Sequence, residues 1–436
     1  MIKELNRNNV LNLLLLLFIL VFCVKIALGN GDFKVFLEAA KIVREGGSPY
    51  NKWLHVGGNG YCLYFYSPLW AIVLIPFTYL NNFIPNIAWL IANIFFLYRT
   101  VFLLRRYLSI EKLTSKQIKI ILFLTILMSI RFILYNFGMI QMTLFILWSV
   151  LEGLRLFKND KWVLGGLIIA FAINVKILPI VILPYLIYRK EFRAFISISI
   201  FSVLLLIIPS IYLGWDGNSF LLSEWWSVIN PANSEHLIES DLVPHSLTAL
   251  IPSLLTETQG DIDIKRNILS LNVDAAIRVL NIIRILLVLF TFYFLKWPPF
   301  RKNKSNLLQL YELAYLFLII PLIFPHMQKY AFALVIPLYF YISHFLVYNF
   351  KYRNIVIRNI RWYAILILYG LSFVLMTLST DGIIGRELNE ITQHFKTITW
   401  GSILLIFVLI LAPPKITLKT KKILIEKMRL KVKKNG

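Results

Sequence analysis

Asp32 is the first residue of this sequence placed to act as a base. Leu11 to Leu28 is nearly continuous Leu, Ile, Val and Phe, long enough to cross a bilayer once, so Asp32 stands where the chain leaves the hydrocarbon. A carboxylate at that depth is only partly hydrated, which raises its proton affinity and suits it to take a proton from a hydroxyl brought along the membrane surface. An ordinary interfacial Asp would occupy the same place. Lys176, in Asn174-Val175-Lys176-Ile177-Leu178-Pro179, lies between two short apolar runs. There a Lys reaches a phosphate headgroup as a point charge, or simply snorkels. The turn Pro325-His326-Met327-Gln328-Lys329-Tyr330 joins two long apolar runs and offers His326 and Lys329 to a phosphate and Gln328 to a sugar. A lone turn His is more commonly just a hydrogen-bonded structural residue. His55, in the loop after the first run, adds another hydrogen bonder. A base, cations and hydrogen bonders are what a site for a lipid-phosphate-linked sugar needs, provided that they converge on one face of the membrane.

Positioning these groups falls to short polar elements between apolar ones. After Asp32, Phe33, Phe36, Leu37, Ala40, Ile42 and Val43 interleave with Lys34, Glu38, Lys41, Arg44 and Glu45 at helical spacing, which predicts an amphipathic helix lying along the membrane. Gly46-Gly47 ends it, Ser48-Pro49-Tyr50 turns the chain, and Tyr64-Phe65-Tyr66-Ser67-Pro68 leads into the next apolar stretch. Of the 436 residues, 58% are hydrophobic and only 15% charged, and the mean hydropathy is +0.72. That composition fits an all-α polytopic membrane protein and no soluble class. Although the formal charge is +23, the basic residues lie in short clusters between apolar runs, as the positive-inside rule predicts, and not in a nucleic-acid-binding patch.

Apolar windows predict about twelve spans: Leu11–Leu28, kept as a signal anchor, Ile87–Leu104, Ile118–Tyr135, Met139–Leu156, Trp162–Val175, Ile177–Tyr188, Phe195–Leu213, Ala275–Leu295, Leu307–Phe324, Tyr330–Tyr348, Trp362–Thr380 and Ile398–Leu411. Ser67–Leu80 is a further apolar stretch broken by Pro76. If it dips in and returns, clusters such as Arg189/Lys190/Arg193 and Lys351/Arg353/Arg358 all face the cytoplasm. In that topology Asp32, His55, Lys176, the 325–330 turn and the acidic segment Gly214–Val273 share the outer face. Trp225-Trp226 and Ser246–Leu255 read as interfacial helices within that segment. The expected organisation is one membrane domain over 1–413 and a basic cytoplasmic tail over 414–436, with no internal repeat. Cys23 and Cys62 are too few and too separated for a disulfide framework or metal knuckle.

The order of an acid just beyond the first span, an interfacial helix, a Gly-x-Pro-Tyr turn and then Tyr-x-Pro resembles glycosyltransferase family 87, membrane enzymes of the GT-C fold that use polyprenyl-phosphate-linked sugars, typically mannose. Gly165-Gly166 followed by Lys176-Ile177-Leu178-Pro179 matches the family's Lys-x-x-Pro after a Gly-rich helix. Asn136-Phe137-Gly138-Met139-Ile140-Gln141-Met142-Thr143 is similar to its Gly-Gln-x-Asn segment, with Ile140 in place of the Gly before Gln141. Pro244-His245-Ser246-Leu247 is similar to a late Asn-Gln-Ser-like element, while the family's Trp-x-His form is absent around His326. The similarity is clearest over Gly31 to Arg193 and thins beyond Gly214.

What the resemblance implies is a GT-C-type bundle in the plasma membrane with an extracytoplasmic site. Asp32 would be the general base of an inverting transfer from a polyprenyl-phosphate-linked sugar to a glycolipid, glycan or protein acceptor. Lys176, His326 and Lys329 would bind the donor phosphate, and Gln141, Tyr64, His55, His245 and Gln328 the sugar or acceptor. Gln141 also fits a plain helix-to-helix hydrogen bond. No metal or other cofactor is expected, because a lipid monophosphate donor does not need the Asp-x-Asp metal diphosphate clamp. The competing readings are a lipid-linked saccharide flippase or a sugar-polymer polymerase. A flippase should show repeated halves and midplane charges, whereas the ionisable residues here crowd one edge.

Overall fold

The computed structural model describes residues 19–29, 31–55, 61–108, 113–230, 233, 238–258, 260–295, 299–302, 305–420 and 422–423. Helices dominate, and among the described residues the strands are two-residue pieces, Leu54–His55 paired antiparallel with Tyr61–Cys62. The chain is thus an all-α polytopic membrane protein. Six described helices are long and apolar enough to cross a bilayer, or up to eight if each of two bent pairs counts as one span. The expected number was about twelve. The difference arises because runs such as Trp162–Val175 and Leu178–Tyr188 form helices of only 10–17 residues, short of the ~20 that a straight crossing needs. Residues 11–18 of the expected first span, Leu11–Leu28, lie outside the described residues, and the rest of it is described and largely helical. Beyond Pro414, the tail is described only as far as residues 414–420 and 422–423.

Pro68–Leu74 is α-helical and Ile75–Tyr79 continues it as a 3-10 helix. Together they span roughly 20 Å, well under the ~30 Å of a bilayer core, and the tightening begins at the turn that carries Pro76. By length this stretch does not cross.

Two compact units are built from interleaved segments. The first comprises 1–100, 134–180 and 193–230. In it the predicted amphipathic helix forms over Phe33–Arg44 and buries Phe33, Val35, Phe36, Leu37, Ala39, Ala40 and Val43. Gly46, at φ +81, ends it: the Gly46 N–H bonds Val43 O at 3.1 Å and the Gly47 N–H bonds Ile42 O at 2.9 Å, a Schellman cap that a side chain at position 46 would strain. This helix packs on Pro68–Leu74 and Ile75–Tyr79. Thr143–Lys158 and Trp162–Val175 pack against each other with their backbones close, because a Cβ on Gly153 would come within 2.4 Å of Ile169 and one on Gly165 within 2.7 Å of Phe157. Phe192–Ile207 and Ser210–Ile229 meet at 89°, with Gly214 at φ +73 inside the second helix. Trp225 and Trp226 ride on that helix, and Leu247–Leu255, in the other unit, falls where an interfacial helix was expected.

The second unit comprises 101–133, 181–192 and 231–436. Its core is Asn306–Ile323 against Lys329–Val335 and Ile336–Asn349, nearly all buried. Glu312, fully buried in the first of these, accepts from Tyr185 Oη at 3.0 Å and from Arg189 Nε at 3.1 Å, and Arg189 Nη2 also bonds it. A lone Asp or Glu in an apolar helix is costly unless paired in this way. Glu312→Ala would leave the Arg189 guanidinium buried without its partner, at a cost of about 3–5 kcal/mol. The expected result is a lower melting temperature for the detergent-solubilised protein. An unchanged value would show that the pair contributes nothing to stability.

Candidate active site

The site in the first unit begins with a turn. Ser115–Gly138 ends at Gly138, and the next helix, Thr143–Lys158, starts five residues later. Between them Ile140 takes φ +51, a left-handed conformation that is unusual for any β-branched side chain. This is the position at which the family resemblance calls for Gly, and the φ value gives the physical reason. The turn carries Gln141 to Asp32. Asp32 N–H bonds Met139 O at 3.0 Å, and Gln141 Nε2 donates to Asp32 Oδ2 at 2.6 Å. Gly31 makes the approach possible, since a Cβ there would lie 2.9 Å from Ile140 Cγ1.

Gln141 is itself held at both ends. Its Oε1 accepts from Tyr66 Oη at 3.2 Å, and its backbone carbonyl accepts from Trp89 Nε1 at 3.2 Å. Tyr66 packs edge-on against Phe36 with 4.4 Å between centroids, and Phe33 stacks on Trp89 at 5.8 Å. Aromatic contacts of this kind contribute about 0.5–1.5 kcal/mol each beyond the area they bury. They fix the helix that begins after Asp32 to the wall that carries Gln141. Burial and the neighbouring Asp32 push the Tyr66 phenol up, so it stays a donor.

Lys176 ends Trp162–Val175 in an extended conformation, with its ammonium 5.3 Å from the Tyr66 ring centroid. Gly166 contributes to its placement, because a Cβ there would collide with Ser197 at 2.0 Å. Burial pulls the Lys176 ammonium down to about 8, against the attraction of Asp32. Asp32 is raised, again by burial first, with the Gln141 hydrogen bond and Lys176 opposing. An acid of raised pKa and a cation of lowered pKa, in one another's field, suit proton transfer beside an anion.

Of the other sequence candidates in this unit, Tyr64 is buried and its hydroxyl donates to Ser67 O at 3.2 Å. That bond ties it to the loop, and Tyr66, two residues on, makes the contact with Gln141. His55 is exposed on the ribbon opposite Tyr61. Tyr66 was not among the expected residues, although its place two residues before Pro68 in the Tyr-x-Pro step was the available signal.

His245, His326, Gln328 and Lys329 belong to the second unit. His326, at φ +56, bonds Glu239 Oε1 through Nδ1 at 2.8 Å and through its backbone N–H at 2.7 Å. Glu239 Oε2 accepts from Thr248 at 2.6 Å and Ser246 at 3.0 Å. Burial pushes Glu239 up, but His326, Thr248 and Ser246 outweigh it and hold the carboxyl below its usual range. Glu239 was invisible in the sequence because it sits among scattered acids of a polar segment. Lys329 is buried in the electrostatic neighbourhood of Arg131 and Asp381, and Gln328 is half-buried at the start of Lys329–Val335. His245 is fully buried, with its ring edge-on to Phe332 at 6.5 Å and its carbonyl accepting from Thr399 at 2.6 Å. Burial and the nearby Lys396, Lys329 and Arg131 drive the imidazole well below its ordinary value. The ring is therefore neutral and enclosed.

The model of glycosyltransferase family 87 matches residues 64–325, more than half of the 436, and the chain belongs to that family. Comparisons with curated proteins and with solved structures return no match. The protein is thus a membrane-embedded glycosyltransferase. The match extends well past Gly214, where the sequence resemblance thins. It contains Tyr64, Gln141, Lys176 and His245; Asp32 and His55 precede it, and His326, Gln328 and Lys329 follow it.

Removing the Gln141 donor tests the geometry. In Gln141→Leu, Asp32 loses a hydrogen bond that favours its charged form, so its proton affinity rises further. Transfer activity should fall about tenfold or more, the worth of a hydrogen bond to a charged group. The acid limb of the pH profile should move to higher pH. A reduced rate with an unmoved acid limb would show that Gln141 does not act through Asp32.

Proposed function

We propose that this glycosyltransferase moves a hexose, mannose by family resemblance, from a polyprenyl-phosphate donor to an acceptor hydroxyl at the extracytoplasmic face of the plasma membrane. The supporting observation is the arrangement at Asp32. Its carboxylate is fixed through Oδ2 by Gln141, lies in the field of Lys176, and stands at the start of an amphipathic helix.

In the proposed reaction, the acceptor O–H donates its proton to Asp32, through Oδ1. The acceptor oxygen forms a bond to the anomeric carbon as the bond from that carbon to the phosphate oxygen breaks, and the electron pair leaves with the polyprenyl phosphate. Attack opposite the leaving group inverts the anomeric centre. The phosphate departs as an anion, and Lys176 stabilises the charge that develops on it. Burial works in favour of both roles: it raises the proton affinity of Asp32 and strengthens the attraction of Lys176 for phosphate in a low-dielectric setting. The sequence candidates His326, Gln328 and Lys329 belong to the second unit and take no step in this reaction. The monophosphate leaving group needs no divalent metal, so we include metal independence in the proposal. Membership of a glycosyltransferase family favours transfer over flipping of the lipid-linked sugar.

With a synthetic polyprenyl-phosphate mannose as donor, Asp32→Asn should lower the turnover rate by about 10²–10⁴-fold while leaving donor binding in place. Turnover close to wild type in that variant would remove Asp32 as the base. Lys176→Met should lower kcat as well as raise the donor KM, and wild-type activity should survive excess EDTA. Complete loss in chelator would overturn the metal-independent part of the proposal.

A further inference from the structure

The second unit contains a cavity that the proposed chemistry does not use. It encloses about 880 Å³, within the range of sites that hold small molecules, and it opens beside the start of Asn359–Phe373 and the end of Thr397–Leu411, which pack against each other. Four cations line it, Arg358, Arg361, Lys415 and Lys419, and among the described residues no acidic one does. Ile357, Ile360 and Ile416 are among its apolar walls. Arg361 is anchored, with Nε donating to Leu411 O at 2.7 Å and Nη2 to Ile410 O at 3.2 Å. Arg358, Lys415 and Lys419 are exposed. The helix that starts here continues for twenty predominantly apolar residues, Asn359–Leu378, long enough to cross a bilayer, and the outward-facing Ile360, Tyr363 and Ile367 extend the apolar wall along it.

A row of cations at the mouth and an apolar wall running on along a span match one kind of occupant: an anion carrying acyl chains. We propose that this cavity binds the phosphate headgroup of an anionic phospholipid, with Arg358, Lys415 and Lys419 facing the phosphate and the acyl chains lying along Asn359–Phe373. The separation of roles follows from the geometry. Arg361 is held by two carbonyls and shapes the rim, whereas the other three cations extend into solvent and are placed to follow a headgroup. A soluble phosphate would satisfy the cations but not the apolar wall, so the occupant is the lipid. This inference is independent of the role given to Asp32, since it concerns none of the residues named for transfer.

The experiment is native mass spectrometry of the purified full-length protein with phosphatidylglycerol or phosphatidylcholine added, alongside melting temperature and transfer activity. Wild type should retain phosphatidylglycerol in preference to phosphatidylcholine. Arg358→Gln/Lys415→Gln/Lys419→Gln should lose that retention by about 100-fold, at about fivefold per cation removed, with melting temperature in the absence of lipid unchanged. Ala364→Trp narrows the cavity without altering charge and should weaken retention as well. Equal retention of the two lipids by wild type, undiminished phosphatidylglycerol on either variant, or displacement by millimolar inorganic phosphate would each overturn the proposal. Should the triple variant fail to fold, Ala364→Trp alone decides between the outcomes.

Discussion

A single hydrogen bond, from the Gln141 amide to the Asp32 carboxylate at 2.6 Å, sets the geometry of the first unit. Three unusual features serve it. Ile140 adopts a left-handed backbone so that Gln141 turns back, Gly31 has no side chain so that the turn can approach, and Tyr66 occupies the other end of the Gln141 amide. A free glutamine amide would sample several rotamers beside an acid, and a free acid would seek water. Tethered to each other and to an aromatic wall, they have one arrangement. The strained Ile140 is then explicable as a local cost borne by a rigid neighbourhood, the pattern expected where a structure fixes a chemical group.

Much of this architecture was legible in the chain itself. The amphipathic spacing from Phe33 and the Gly46-Gly47 stop predict a helix that forms over Phe33–Arg44 and ends on a glycine cap, because both signals are local. Asp32, Gln141 and Lys176 were each identifiable as polar residues at the ends of apolar runs. Their mutual contacts were not, since Gln141 lies 109 residues from Asp32 and no periodicity relates them. Hydropathy likewise finds apolar runs without saying how many are complete spans. Trp162–Val175 and Leu178–Tyr188 satisfy a window yet stop short, since the chain breaks at Lys176 and Pro179 to form a turn. Glu239 had no distinguishing pattern, and Tyr66 only its place in the Tyr-x-Pro step. Each acquires its role only from what folding brings beside it, His326 in one case and Gln141 in the other.

The two glycines before Lys176 show how a composition signal becomes a positional one. Gly165 and Gly166 face opposite neighbours, Phe157 with Gly153 on one side and Ser197 on the other. A helix squeezed between two others at backbone distance has little freedom to slide, so the residue at its end is fixed relative to both. Gly-rich helix followed by Lys is therefore a device for placing a cation, and the turn it ends in lets that cation stand over the Tyr66 ring.

Asp32 and Lys176, each in the other's field, show how two opposite charges in a partly enclosed site can be useful and not only costly. In each group burial outweighs the attraction of the other: the acid is raised despite the lysine, and the lysine falls to about 8 despite the acid. Under the proposed reaction, a donor phosphate entering beside Lys176 supplies that cation with a better counter-ion. The same step withdraws part of the Coulombic support that Lys176 gives Asp32, and the proton affinity of the carboxylate rises further. Donor binding thus strengthens the base before the acceptor is deprotonated, and the anion that departs is held by a cation already committed to it. Two charges outside each other's field would offer no such coupling.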